Sequence, residues 1–145
     1  MGILSKLFGS KTASQSYEPQ SEEEAWIGIM YASMYIDEHI SDKELQEMFD
    51  LLEKQPLFNE KHVADYYQPV MLANRRIGSF SLIDSCVSHI QENNKAILFE
   101  LIMQLLLVDG KLKPKEKEIA EYLTKAMHLE FEIAKKIVDN LLITE

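Results

Sequence analysis

Two short corners of the sequence carry the residues best suited to chemistry. Asp37-Glu38-His39-Ile40-Ser41-Asp42-Lys43-Glu44 aligns with Asp109-Gly110-Lys111-Leu112-Lys113-Pro114-Lys115-Glu116 at a constant offset of 72 residues. Each copy closes an apolar stretch with Asp, sets an aliphatic residue three positions on, and puts Glu at the third position of the next predicted helix. Oxygen donors of this kind suit a divalent cation, with calcium, manganese and zinc as the ions to consider. The candidate ligands are Asp37, Glu44, Asp109 and Glu116.

The second corner carries the Asp-Gly and later Glu of a calcium EF-hand loop, but the twelve-residue frame would put Leu105 and Leu107 at the first and third ligand positions. Leucine has no side-chain oxygen. Ser33 and Tyr35 stand there in the first copy, so neither corner is an EF-hand. Two explanations of the carboxylates stay open. Glu44 follows Ser41 by three residues, as a capping box requires, and Glu116 stands in the same relation to Lys113. Asp37 and Asp109 end helices, where the helix dipole disfavours negative charge. Each Asp could accept amides of the turn that follows it. Alternatively the four carboxylates face one another across two halves and a cation relieves their repulsion.

Other chemistries lack their residues. The five glycines never cluster, so there is no phosphate-cradling loop or dinucleotide fingerprint. No His follows a Glu by three positions, there is no His-Glu-x-x-His, and there is no Gly-x-Ser-x-Gly elbow. Cys86 is the single cysteine, which rules out an intrachain disulfide or a multi-thiolate zinc site, and with His89 it reads as a core thiol beside a surface imidazole. The chain is therefore expected not to be an enzyme. Its net charge of −9 lies between Glu22 and Glu53, where ten acids face one base, Lys43. Such a surface repels phosphate backbones, so a cation or a basic protein partner is expected and nucleic acid is not.

The elements that must position these residues are helices. Apolar residues recur every three or four positions almost throughout the 145-residue chain, and strand-like alternation is missing. The expected fold is all-α, about seven helices in a compact bundle built from two similar helical halves. The predicted helices run from Ser21 to about Ile36, from Ser41 to before Pro56, from Asn59 to about Asn74 with a bend or break at Pro69, from Ser79 or Ser81 to Asn93-Asn94, from Ala96 to Val108, from Pro114 to about Met127, and from about Glu130 to Leu142. Ala96–Val108 has only Glu100 and Gln104 among apolar residues and is expected to be wrapped by the others, yet it is too short to span a membrane. In the last helix Phe131, Ile133, Ala134, Ile137, Val138 and Leu141 are expected inward. Residues 1–20 form an amphipathic tip, Ile3, Leu4, Leu7 and Phe8 beside Lys6, followed by a flexible linker; residues 21–145 form the domain. The tip lacks a secretory pattern and suits weak docking to a membrane.

The segment Leu101-Ile102-Met103-Gln104-Leu105-Leu106-Leu107-Val108-Asp109-Gly110-Lys111-Leu112-Lys113-Pro114-Lys115-Glu116, followed by Ile119-Ala120 and Leu123, resembles the signature of TerB-like proteins. These are helical domains associated with tellurite resistance and also found beside the J domain of DjlA-type co-chaperones. The resemblance covers most of residues 21–145. It implies duplicated helical halves, a bacterial stress-response role in the cytoplasm or at the inner membrane, a protein partner, and divalent metal at Asp37, Glu44, Asp109 and Glu116. Glu38 stands where the pattern expects Gly, so the first corner is expected to turn differently. No His-Pro-Asp tripeptide occurs, so the chain carries no J domain of its own.

Overall fold

Ser21 opens the first helix by accepting the Glu24 amide on its hydroxyl at 3.2 Å. In the computed structural model, which describes residues 16–108 and 110–143, this helix, α1, spans Glu22–Met34. Six more follow: α2 (Asp42–Glu53), α3 (Ala64–Ile77), α4 (Ser79–Val87), α5 (Lys95–Leu106), α6 (Pro114–Ala126) and α7 (Phe131–Ile143). Single 3-10 turns at Pro56–Phe58 and Glu92–Asn94 precede α3 and α5. Among the described residues there is no strand, and no helix is long and apolar enough to cross a membrane.

The three glutamates that start α1 sit at the positive end of its dipole, and each fastens a different part of the chain. Glu22 Oε2 accepts from Trp26 Nε1 at 3.1 Å, Gln91 N at 3.1 Å and Asn94 Nδ2 at 2.8 Å. Glu23 pairs with Lys61 in the turn before α3. Glu24 accepts from Gln20 N at 3.0 Å and from the Tyr17 hydroxyl. Much of the acidity counted as surface charge is thus structural. It also holds down the described part of the expected linker, where Tyr17 N donates to Ser85 Oγ at 3.0 Å and Pro19 is buried. Residues 1–15, including the amphipathic tip, lie outside the described residues.

Beyond these acids, α1 has no polar face at all. Ala25 through Ser33 are all buried, and α1 packs against α2, α3, α4 and α5. α5, expected to be wrapped by the others, does pack against α1, α2, α6 and α7, but it leaves Ile97, Glu100 and Gln104 exposed along one strip, with Val108 exposed just past its end, so α1 is the more enclosed helix. The greater apolar content of α5 misled because the glutamates of α1 masked the uncharged run behind them. Packing around α1 is close. A Cβ on Gly28 would stand 2.6 Å from Cys86 Sγ on α4, so glycine is what lets the two helices approach.

Two further differences follow from where individual residues face. α3 runs unbroken across Pro69, so the predicted break does not occur, and it begins five residues later than the periodicity suggested. The bond Pro69 cannot donate would go to the Asp65 carbonyl, and both residues face solvent, where water satisfies the carbonyl. In α7, Ala134 is buried and Ile137, Val138 and Leu141 pack on the core, but Phe131 is 70% exposed and Ile133 is 44% exposed. Phe131 lies on an apolar groove between α6 and α7 with Phe99, Ala120 and Val138.

Candidate functional site

The 72-residue offset survives in the helix boundaries. α1 and α2 begin at Glu22 and Asp42, and α5 and α6 begin at Lys95 and Pro114, within one residue of the shifted positions. Both corners therefore have the same construction, an apolar helix, a seven-residue turn and a polar helix. Glu38 has φ +63° and its counterpart Gly110 has φ +84°, so the first corner adopts the left-handed turn despite its glutamate. The expectation of a different turn is corrected. A left-handed non-glycine residue costs on the order of 1 kcal/mol, which the rest of the corner must offset.

The corners meet. A pocket of about 120 Å³ is lined by equivalent pairs from the two copies, Met34 with Leu106, Ile36 with Val108 and Glu44 with Glu116, together with Asp37, His39, Leu105 and Lys113. Asp37, Glu44 and Glu116 are thus brought to one place from positions far apart in sequence. Asp109 lies outside the described residues. The carboxyl-terminal ends of α1 and α5 both reach this pocket, so two helix dipoles add partial negative charge to that of the carboxylates. Lys113 contributes the opposing charge.

Local structure already uses part of each carboxylate. Glu44 Oε1 accepts from Ser41 N at 2.8 Å while Ser41 Oγ accepts from Glu44 N at 3.1 Å, a complete capping box. Glu116 Oε1 accepts from Lys113 N at 2.8 Å, the reciprocal half of the same motif, since a lysine side chain offers no acceptor. Asp37 Oδ1 takes the His39 amide at 3.3 Å in the turn. These bonds engage one oxygen of each group and hold it in register. Among the described residues, no three His, Cys, Asp or Glu side chains close on a single point as an inner coordination sphere would. The pocket of about 120 Å³ has room for a few waters at roughly 30 Å³ each.

Cys86 has no place in such chemistry. It is fully buried, and burial, with the charge of Glu24 adding to it, pushes the thiol up to about 12, so no thiolate exists near neutral pH. His89 pairs instead with Glu18 at 3.7 Å on the surface. Sequence reasoning missed His39 and Lys113 as pocket residues. The pairing of the two copies was the signal that would have found them, since both belong to the aligned corners. Comparison with protein-family models, with curated proteins and with solved structures gave no match for this chain.

Proposed function

We propose that the chain is a non-enzymatic helical adaptor of the TerB-like kind, in which a divalent cation links the two corners and so fixes the surface offered to a protein partner. The observation that carries this reading is the pocket lined by Asp37 and Glu44 from one corner and Glu116 from the other. Like charges gathered at the ends of two helices favour a positive occupant. Oxygen donors favour calcium or manganese over zinc. The resemblance of Leu101–Glu116 to the TerB-like signature points the same way and suggests a bacterial stress response in the cytoplasm or at the inner membrane.

The test is thermal unfolding in chelator and in millimolar calcium or manganese, for the wild type and for Asp37→Asn/Glu116→Gln. Both substitutions keep an oxygen for the local amide and remove the charge. A ligand at a hundred times its Kd stabilises the native state by about 2.7 kcal/mol, or roughly 5–10 °C for a domain of this size. The wild type should gain that shift and the double variant should not.

A second reading has its own support in the 2.8 Å cap bonds of Glu44 and Glu116. There the carboxylates serve only to start α2 and α6, and the chain is a scaffold whose acidic α2 docks a basic partner. α2 carries Asp42, Glu44, Glu47, Asp50 and Glu53 against Lys43 alone. No metal-dependent shift in the wild type would favour it.

A further inference from the structure

A second, larger pocket lies where the end of α1 meets the corner between α3 and α4. Its volume is about 400 Å³, and it is lined by Tyr35, Ile36, Glu38, Asn74, Arg75, Gly78, Ser79 and Phe80. It shares only Ile36 with the pocket between the corners. From this cavity we infer a binding site for a small zwitterion, a free amino acid with an apolar side chain, held by its carboxylate at the α3–α4 corner and by its ammonium at Glu38.

Asn74, Arg75 and the start of α4 give this lining its donors. Asn74 is only 4% exposed, its Oδ1 receives a long 3.4 Å bond from Ser79 Oγ, and no described residue accepts from its Nδ2. No side-chain polar atom among the described residues is both wholly enclosed and unpartnered, so this amide keeps some accessible surface, and Asn74 lines the pocket. A buried carboxamide left with two unused donors at a cavity wall is an anchor for an acceptor. Arg75 beside it makes no ion pair with any described residue, and its charge is felt within this cluster, where it opposes the upward push of burial on the Tyr31 hydroxyl. The first amides of α4 open beside Gly78, whose φ of +86° turns the chain sharply from α3 into α4.

The same lining supplies an acceptor. Glu38 holds a left-handed conformation that its counterpart fills with glycine, so this carboxylate is kept at a cost in backbone energy. Tyr35, Ile36 and Phe80 give the apolar remainder. Charge decides the ligand class: Arg75 and Glu38 cancel, and a molecule carrying −9 would repel a dianion such as a phosphate ester. A neutral zwitterion with separated charges satisfies both Arg75 and Glu38 at once.

The test is titration of the 15N-labelled protein with leucine, N-acetyl-leucine and leucinamide, followed by amide shifts and calorimetry. Leucine should move the signals of Gly78, Ser79 and Phe80. Capping either charged end should weaken binding about tenfold or more, the effect of losing one charge-assisted bond. Arg75→Gln and Glu38→Gln alter exposed side chains and should keep the wild-type melting temperature while each lowers leucine affinity by a similar factor. Lack of shifts at millimolar leucine, binding of either capped derivative as tight as that of leucine, or unchanged affinity in both variants would each overturn the assignment.

Discussion

Glu22 and Asn94 stand at equivalent places in the two copies, 72 residues apart, and are bonded to each other, with Asn94 Nδ2 donating to Glu22 Oε2 at 2.8 Å. At the far ends of the same helices, Met34 and Leu106 share the pocket between the corners. A bond between equivalent residues at one end and a pocket shared by equivalent residues at the other mean that α1 and α5 run side by side in one direction. Short connections between successive helices favour antiparallel neighbours, but this pair is joined through the whole first half of the chain.

That relationship makes Glu22 a tie between halves. One carboxylate oxygen serves the Trp26 indole, the Gln91 amide and the Asn94 carboxamide. Glu22→Ala is expected to cost about 2–3 kcal/mol, because hydrogen bonds to a charged group contribute more than neutral ones and three donors lose their acceptor together. Glu22→Gln retains a neutral acceptor and should cost about half as much. Urea unfolding of the three proteins measures both. An alanine variant within about 0.5 kcal/mol of wild type, the range of ordinary surface changes, would show that the tie contributes nothing to stability.

The close approach of α1 to α4 gives a second expectation. A methyl on Gly28 would collide with Cys86 Sγ, and neither residue has open space to move into, since Cys86 and its neighbours Leu82 and Ile83 are all fully buried. Gly28→Ala is therefore expected to destabilise by about 1–3 kcal/mol, against the small gain that alanine normally brings inside a helix. Cys86→Ala removes the obstructing sulfur. The double variant should be more stable than the sum of the single effects predicts, with a coupling of about 1 kcal/mol or more in a double-mutant cycle. Additive effects would mean that the helices separate to admit the methyl and that the contact is soft.

How far the fold was legible depended on whether a residue's role was local. Seven helices could be read because period, caps and proline positions are short-range signals, and Ser21, Ser41 and Pro114 mark helix starts as their chemistry dictates. The constant spacing of the two corners left open whether their carboxylates face one another, and Asp37, Glu44 and Glu116 line one pocket. What could not be read was tertiary. Nothing local distinguishes Glu22, Glu23 and Glu24, which bind other segments, from Asp42 and Glu47, which lie on a solvated helix. Pro69 breaks nothing because its missing bond faces water, and facing is set by the bundle. The pocket at Asn74 and Arg75 gave no signal at all, since its residues come from three helix ends with no common spacing.

The Glu23–Lys61 pair makes the acid limb of stability testable. Burial pushes the Glu23 carboxyl up, but the Lys61 ammonium, the backbone amide of Glu23 and the Ser21 hydroxyl outweigh it, and the group titrates below its ordinary range. Lys61 is raised in turn, chiefly by its hydrogen bond to Glu23. A carboxyl whose folded value is depressed binds its proton more tightly in the unfolded chain. Its contribution is complete above the unfolded value, near pH 4.3, and is lost as pH falls through the lowered folded value. Lys61→Met should therefore destabilise the protein near pH 7, and the difference from wild type should shrink as the pH is taken to about 3, where the carboxyl is increasingly protonated in both proteins. Glu23→Gln should show the same convergence, and adding Lys61→Met to it should change little, because the partner charge is already gone. Denaturant midpoints across that pH range provide the measurement. A Lys61→Met penalty that stays constant from neutral to acid pH would assign the effect to lost packing of the lysine stem, with no contribution from its charge.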